Sequence, residues 1–145
     1  MGFRFTLAAV LRLREIREEI EERRLSEILA QIARTRESIT VIDAEMVEAA
    51  AKRDRDLSGG MSGSELHAAN GLAAMLKEHR QLRLAKLAHL EQLRDQQIPV
   101  YKRAHQDREL LSGMREEQRE EYAAGQLRQQ QKLVDDLFTA RIRRR

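Results

Sequence analysis

Between Leu57 and Ser64 the chain reads Leu-Ser-Gly-Gly-Met-Ser-Gly-Ser, and no comparable break occurs anywhere else along it. Three of the seven glycines sit in this short stretch. On both sides the composition is that of long helices: Ala, Glu, Leu, Arg, Gln and Lys dominate, with a single Pro. These residues lose little rotamer freedom in a helix, whereas strand and turn formers are scarce. A chain that is helical before and after one break has few options beyond a helical hairpin. The absence of Cys excludes a disulfide scaffold and thiol chemistry, and a β-sandwich lacks its strand residues.

The break carries its own punctuation. Gly59 or Gly60 can adopt the left-handed conformation that closes a helix. Ser62 and Glu65 have capping-box spacing, flanked by Met61 and Leu66 as a hydrophobic staple. Thr6 offers a second N-cap, with Phe5 and Val10 spaced as its staple. The reading is helix one over about 7–57, a turn over about 58–63, and helix two over about 64–142. Pro99 removes a backbone hydrogen bond and crowds the preceding turn, so a kink is expected near it.

A seven-residue repeat is legible on helix one. Leu25, Ile32, Ile39 and Met46 form one row; Ile28, Thr35, Ile42 and Ala49 form the row three residues on. These are a and d positions of a coiled coil. Helix two carries a weaker copy. Leu76, Leu90, Ala104 and Leu111 share a row with Arg83 and Gln97, and Leu72, Leu93, Val100 and Met114 share the other with His79, Lys86 and Asp107. Leu82, Leu87, Ile98, Tyr101 and Leu110 are read as widening this stripe. The fold class is therefore all-α, a long antiparallel two-helix coiled-coil hairpin.

A tight loop makes the arms antiparallel, and facing residues then have numbers summing to about 120. Ile28 is expected near Leu93, Ile32 near Leu87 and Leu90, Ile42 near Met75 and His79, and Ala49 near Leu72. Nearer the chain start, Arg14, Glu18 and Glu21 fall on the seam, while Leu13, Ile16 and Ile20 suggest a slipped register. Leu7 comes opposite Gly113. Residues from about 114 onward are then left without an internal partner, an overhang on the order of 45 Å at 1.5 Å per residue. It carries Tyr122, Leu127, Leu133, Val134, Leu137, Phe138 and Ile142, which a solitary helix cannot bury.

Function classes narrow by exclusion. No apolar run approaches the roughly 20 residues of a bilayer span, and Phe5–Leu11 is too short for a signal core, so the expected location is cytoplasmic. Net charge is +3, with 27 basic and 24 acidic residues intermixed and only five Phe or Tyr, so no nucleic-acid partner is expected. His67, His79, His89 and His105 include no zincin or di-iron helix spacing, and the turn lacks the Gly-Lys-Ser/Thr end of a phosphate loop. No catalytic residue, cofactor or metal is expected. His79 reads as a core-edge histidine against Ile42. The start Met1-Gly2-Phe3-Arg4-Phe5-Thr6 matches a myristoylation pattern by chance. The ending Arg141-Ile142-Arg143-Arg144-Arg145 suits a helix C-terminus, and equally contact with an acidic partner or membrane surface.

Three segments in order resemble the FliJ family of the flagellar type III export apparatus. The opening Phe3-Arg4-Phe5-Thr6-Leu7-Ala8-Ala9-Val10-Leu11-Arg12-Leu13-Arg14 is similar to the family's F-x-F-x-L-x-x-V-L-x-x-R start. Ser58-Gly59-Gly60-Met61-Ser62-Gly63-Ser64-Glu65-Leu66 resembles its hairpin turn. Lys132-Leu133-Val134-Asp135-Asp136-Leu137-Phe138-Thr139-Ala140-Arg141 resembles its K-x-L-D-E-L-A-x-x-R close. The resemblance implies a non-enzymatic coiled-coil hairpin like the central stalk of rotary ATPases. It implies three partners: the hexameric export ATPase, the cytoplasmic domain of the export gate protein, and export chaperones. It also implies peripheral association with the inner membrane at the flagellar base, through the apparatus. The gate-binding positions it implies are Ile42, Glu45, Ala49, Leu72, Leu76, His79 and Arg83. Leu7, Leu11, Leu13 and Arg17, with Leu127, Leu133, Val134, Leu137, Phe138 and Arg141, would meet the ATPase ring.

Two other readings fit the same residues. One is the equivalent stalk of a virulence-type secretion system. The other is a structural adaptor that forms a homodimer through the overhang, whereas the stalk reading expects a monomer.

Overall fold

The computed structural model describes residues 2–144. Two α-helices, α1 (Ala8–Ser58) and α2 (Gly63–Arg143), pack against each other in a hairpin. The chain divides into two compact units. One comprises the stretch up to Glu21 together with the stretch from Tyr101, and the other is Glu22–Val100.

In the unit Glu22–Val100 the break folds as its residues require. The N–H of Gly59 donates to the Arg55 carbonyl at 3.1 Å, and that of Gly60 to the Leu57 carbonyl at 3.4 Å. Gly60 then takes φ 89°, a conformation that costs a Cβ-bearing residue about 1 kcal/mol. Ser62 starts α2: its Oγ accepts the Glu65 N–H at 3.2 Å, and its carbonyl accepts the Leu66 N–H at 3.0 Å. This is N-capping by side chain and backbone together.

The repeat on α1 forms the seam. Ile32, Thr35, Ile39 and Ile42 are buried, and Leu25, Ile28, Met46 and Ala49 are half-buried. On α2, Leu76 and Leu90 are buried opposite them, while Leu87 and Leu93 are half-buried. Arg80 Nε lies 2.6 Å from Asp43 Oδ1 and Arg36 NH2 3.2 Å from Glu91 Oε1, so ion pairs flank the apolar seam and hold its register. Several expected seam members on α2 point to solvent instead. Leu72 and Met75 are each 45% exposed and Leu82 is 63% exposed. His79, expected at the core edge, is also exposed. A two-helix seam has no third layer to cover a widened stripe, so only the innermost rows are buried.

The other unit has a small apolar cluster of Phe5, Leu11 and Leu111, with Phe3, Leu7 and Met114 packed against it. Phe5 lies in this cluster while Val10, its expected staple partner, is exposed. The unpaired stretch expected from about 114 begins later. Phe3 stacks at a tilt on Tyr122, with ring centroids 5.8 Å apart, and Arg119 stands 5.9 Å over the same ring. The residues before α1 thus reach alongside α2 for two further turns.

The suggested slip of register near the chain start does not occur. Arg14 pairs with Asp107 at 3.1 Å and Glu18 with Arg108 at 2.7 Å, while Glu21 is only 6% exposed. Leu13, Ile16 and Ile20 face outward. Leu11 anchors against Leu111 in the cluster, and Leu13 lies about 200° around the helix from Leu11. Once Leu11 faces inward, Leu13 cannot. α2 stays helical through Pro99, and the boundary between the two units falls just after it.

Candidate functional site

Exposed apolar side chains at helical spacing define three faces. The first is the C-terminal part of α2. Leu127, Leu133, Val134, Leu137, Phe138 and Ile142 are each 57–67% exposed, and every residue there except half-buried Gly125 is open from Ala123 to Arg143. Arg141 and Arg143 occupy the last turn, where cations meet the negative end of the helix dipole. These six large apolar groups, linked by three-, four- and seven-residue steps along about 23 Å of helix, form an uncovered apolar stripe.

The second face lies beside the turn. Leu72, Met75, His79 and Leu82 recur at alternating three- and four-residue steps and are all exposed. A cleft of about 370 Å³ adjoins it, lined by Ala49, Met61, Ala69 and Leu72 among others. A smaller one of about 150 Å³ includes Met46, Ala50, Ala73 and Leu76. Alanines where a seam normally carries Leu or Ile leave these hollows open.

The third face is on the early part of α1, where Val10, Leu13, Ile16 and Ile20 are 40–66% exposed. Behind them the seam is ionic. Glu18 Oε2 accepts from Arg108 Nε at 2.7 Å and lies 3.4 Å from His105 Nδ1; His105 Nε2 lies 3.1 Å from Glu109 Oε1. Tyr101 stacks on His105 at 5.9 Å. The Arg108 guanidinium titrates above the ordinary arginine range, first through its hydrogen bond to Glu18 and further through the charges of Glu18, Glu109 and Glu15; desolvation opposes the shift.

The residues expected to meet partners fall into two groups. Glu45, Leu72, His79 and Arg83 are exposed beside the turn, and Ala49 is half-buried, whereas Ile42 and Leu76 belong to the seam at 9% and 6% exposure. Leu13, Arg17, Leu127, Leu133, Val134, Leu137, Phe138 and Arg141 are exposed, Leu7 is half-buried, and Leu11 is 3% exposed in the apolar cluster. Met75, Leu82, Ile16 and Ile20 are missing from the expected sets. They looked like seam residues or a slipped register; a helical wheel phased on Leu11 and Ile32 places Ile16 and Ile20 outside. Arg145 of the basic tail lies outside the described residues.

Among the described residues no group of three His, Asp or Glu could hold a metal ion. Among the described residues no helix is long and apolar enough to cross a membrane. What the fold and these faces define is a coiled-coil protein: two paired helices that leave apolar stripes open to solvent.

The family described as Flagellar FliJ protein matches residues 3–145, and the chain belongs to it. It is a component of the flagellar export apparatus, and a non-catalytic one. No curated protein and no solved structure matches the chain.

Proposed function

We propose that the chain acts as the stalk of the export apparatus, docking into the hexameric export ATPase by its open end and contacting the export gate beside the turn. The observation that carries this reading is the exposed stripe Leu127–Ile142, which has nothing to cover it within the described chain. A ring lumen would bury this stripe together with Leu13, Arg17 and Arg141. Leu11 would act indirectly, by holding α1 against α2 so that Leu13 and Arg17 face out.

The gate's cytoplasmic domain would meet Glu45, Leu72, His79 and Arg83, with Ala49 at the cleft floor and Ile42 and Leu76 setting the helix spacing beneath. Escort of export chaperones would use apolar faces left free by these two partners. The work is done at the cytoplasmic side of the membrane, at the flagellar base, through the apparatus and not through a span. Coupling would arise because a stalk held at both ends biases ring assembly toward one subunit conformation.

Two measurements test this. Truncation after Gln126 should abolish stimulation of the ATPase, and full stimulation by the truncated protein would overturn the docking scheme. Leu72→Asp should lose capture by the gate's cytoplasmic domain in a pull-down while leaving the helix content intact, because Leu72 is already 45% exposed. Light scattering should give a monomer; a concentration-dependent dimer lost on the same truncation would favour an adaptor instead.

A further inference from the structure

Midway along the unit Glu22–Val100 the seam breaks its own rule. Three consecutive seam positions of α2 carry His79, Arg83 and Lys86, where a coiled coil normally inserts apolar knobs. Thr35 is the only polar residue in the α1 rows between Leu25 and Ala49. It is 4% exposed, and its hydroxyl turns away to donate to the Gln31 carbonyl at 2.8 Å. A cleft of about 490 Å³ opens here, lined by Gln31, Arg34, Thr35, Ser38, Arg83 and Lys86. A second cleft of about 380 Å³ shares Arg83 and Lys86 and adds His79 and Leu82.

The charge of this cleft is unbalanced. Its lining holds three cations and no carboxylate. Elsewhere in the unit, basic residues that reach across the seam find acids, as Arg36 finds Glu91 and Arg80 finds Asp43. Among the described residues Arg34, Arg83 and Lys86 have no ion-pair partner. Two guanidiniums and an ammonium lining one cleft from both helices repel one another, and the neutral side chains of Gln31 and Ser38 beside them can donate hydrogen bonds. Guanidinium forks match the paired oxygens of a phosphate group, and lysine adds a point charge.

We infer that this cleft is a binding site for a phosphate-bearing polyanion, held by Arg34 from α1 and by Arg83 and Lys86 from α2. Occupancy links the two arms through the ligand at the place where α2 offers the seam charged residues in place of apolar knobs, so it stiffens the middle of the hairpin. Three cations call for more negative charge than the roughly −2 of a single phosphate monoester, which favours a diphosphate or larger group. The inference does not depend on the gate reading, because Arg34 and Lys86 lie outside the gate-facing set.

The test titrates the full chain calorimetrically with inorganic pyrophosphate and with a nucleoside triphosphate. In parallel it co-sediments the chain with phosphatidylcholine vesicles with and without phosphatidylglycerol. The key variant is Arg34→Gln/Lys86→Gln, both exposed positions; Arg23→Gln/Lys102→Gln removes the same charge elsewhere. Saturable binding of one pyrophosphate per chain, weakened about tenfold or more in the first variant and retained in the second, is the expected result. Binding only to the phosphatidylglycerol vesicles with that same variant dependence assigns the phosphate to a lipid headgroup. Equal weakening in both variants, or no binding of any phosphate probe, overturns the inference. So does capture of a polyglutamate peptide when pyrophosphate and vesicles fail.

Discussion

Leu11→Ala and Leu127→Ala remove the same atoms from one unit of the molecule, and the structure assigns them opposite consequences. Leu11 is 3% exposed between Phe5 and Leu111, whereas Leu127 is 67% exposed. A buried Leu→Ala change costs about 2–5 kcal/mol, through lost transfer energy and a residual cavity. The cluster at Leu11 is small and open at its edge, so its neighbours can partly close the gap, and about 3 kcal/mol is expected. For a chain of this size each kcal/mol moves the midpoint by about 2–4 °C, which predicts a fall of about 6–12 °C. Leu127→Ala should stay within about 0.5 kcal/mol, since it uncovers nothing and substitutes a better helix former. Thermal melts followed by helical circular dichroism read both changes, and native-state hydrogen exchange should confine the Leu11 effect to the unit that contains it. Under the proposed docking, ATPase stimulation at low temperature should show the reverse order, with Leu127→Ala the weaker while fully folded. A midpoint loss for Leu127→Ala equal to that for Leu11→Ala would refute the reasoning, because it would mean that the stripe is buried in solution.

Two glycines of the turn should respond in opposite directions. Gly60→Ala forces φ 89° on a Cβ and should destabilise by about 1 kcal/mol, whereas Gly63→Ala, helical and with nothing within 4 Å of the added Cβ, should stabilise by about 0.5–1 kcal/mol; denaturant midpoints read both. Ser62→Ala removes the acceptor of the Glu65 N–H and should cost about 1 kcal/mol, recovered by Ser62→Asp but not by Ser62→Val. Glu18→Gln breaks the pair with Arg108. Because the folded arginine titrates above its unfolded value, its contribution is complete below about pH 12 and is lost only as pH rises through the folded pKa. The stability difference between wild type and Glu18→Gln should therefore be flat from about pH 7 to pH 10, and a steady decline across that window would show that another group controls the pair. Replacing Arg14, Glu18, Asp107 and Arg108 together with Leu should raise the melting midpoint, since a well-packed apolar seam commonly exceeds a partly buried ionic one.

Much of the hairpin is visible in local chemistry. The turn announces itself because Gly60 and Ser62 satisfy needs that arise within a few residues: a left-handed φ and an unpaired N–H. The seam from Leu25 to Ala49 is equally plain, because a strict seven-residue repeat leaves an α-helix one way to face a partner. The opening, turn and closing segments carry the family resemblance for the same reason, since each is a short string read in order. The bare stripe from Leu127 to Ile142 followed from the antiparallel pairing arithmetic, but the other two faces were harder to see. Leu82 and Leu110 are apolar like their buried neighbours, and composition cannot tell a covered leucine from a bare one.

The sequence by itself determined that the chain is helical, where it turns, and which rows of α1 are apolar, because propensity, capping and periodicity act over distances of one or two turns. Only the tertiary structure decided which way the early part of α1 faces. There Arg14, Glu18 and Glu21 are turned toward the seam while Leu13, Ile16 and Ile20 stand in solvent, contrary to any ranking by hydrophobicity. A helix is stiff in rotation, so Leu11 locked against Leu111 sets the phase for every residue in the following turns. Likewise Phe3 found Tyr122 only through packing, a contact between residues more than a hundred positions apart that no local pattern could announce.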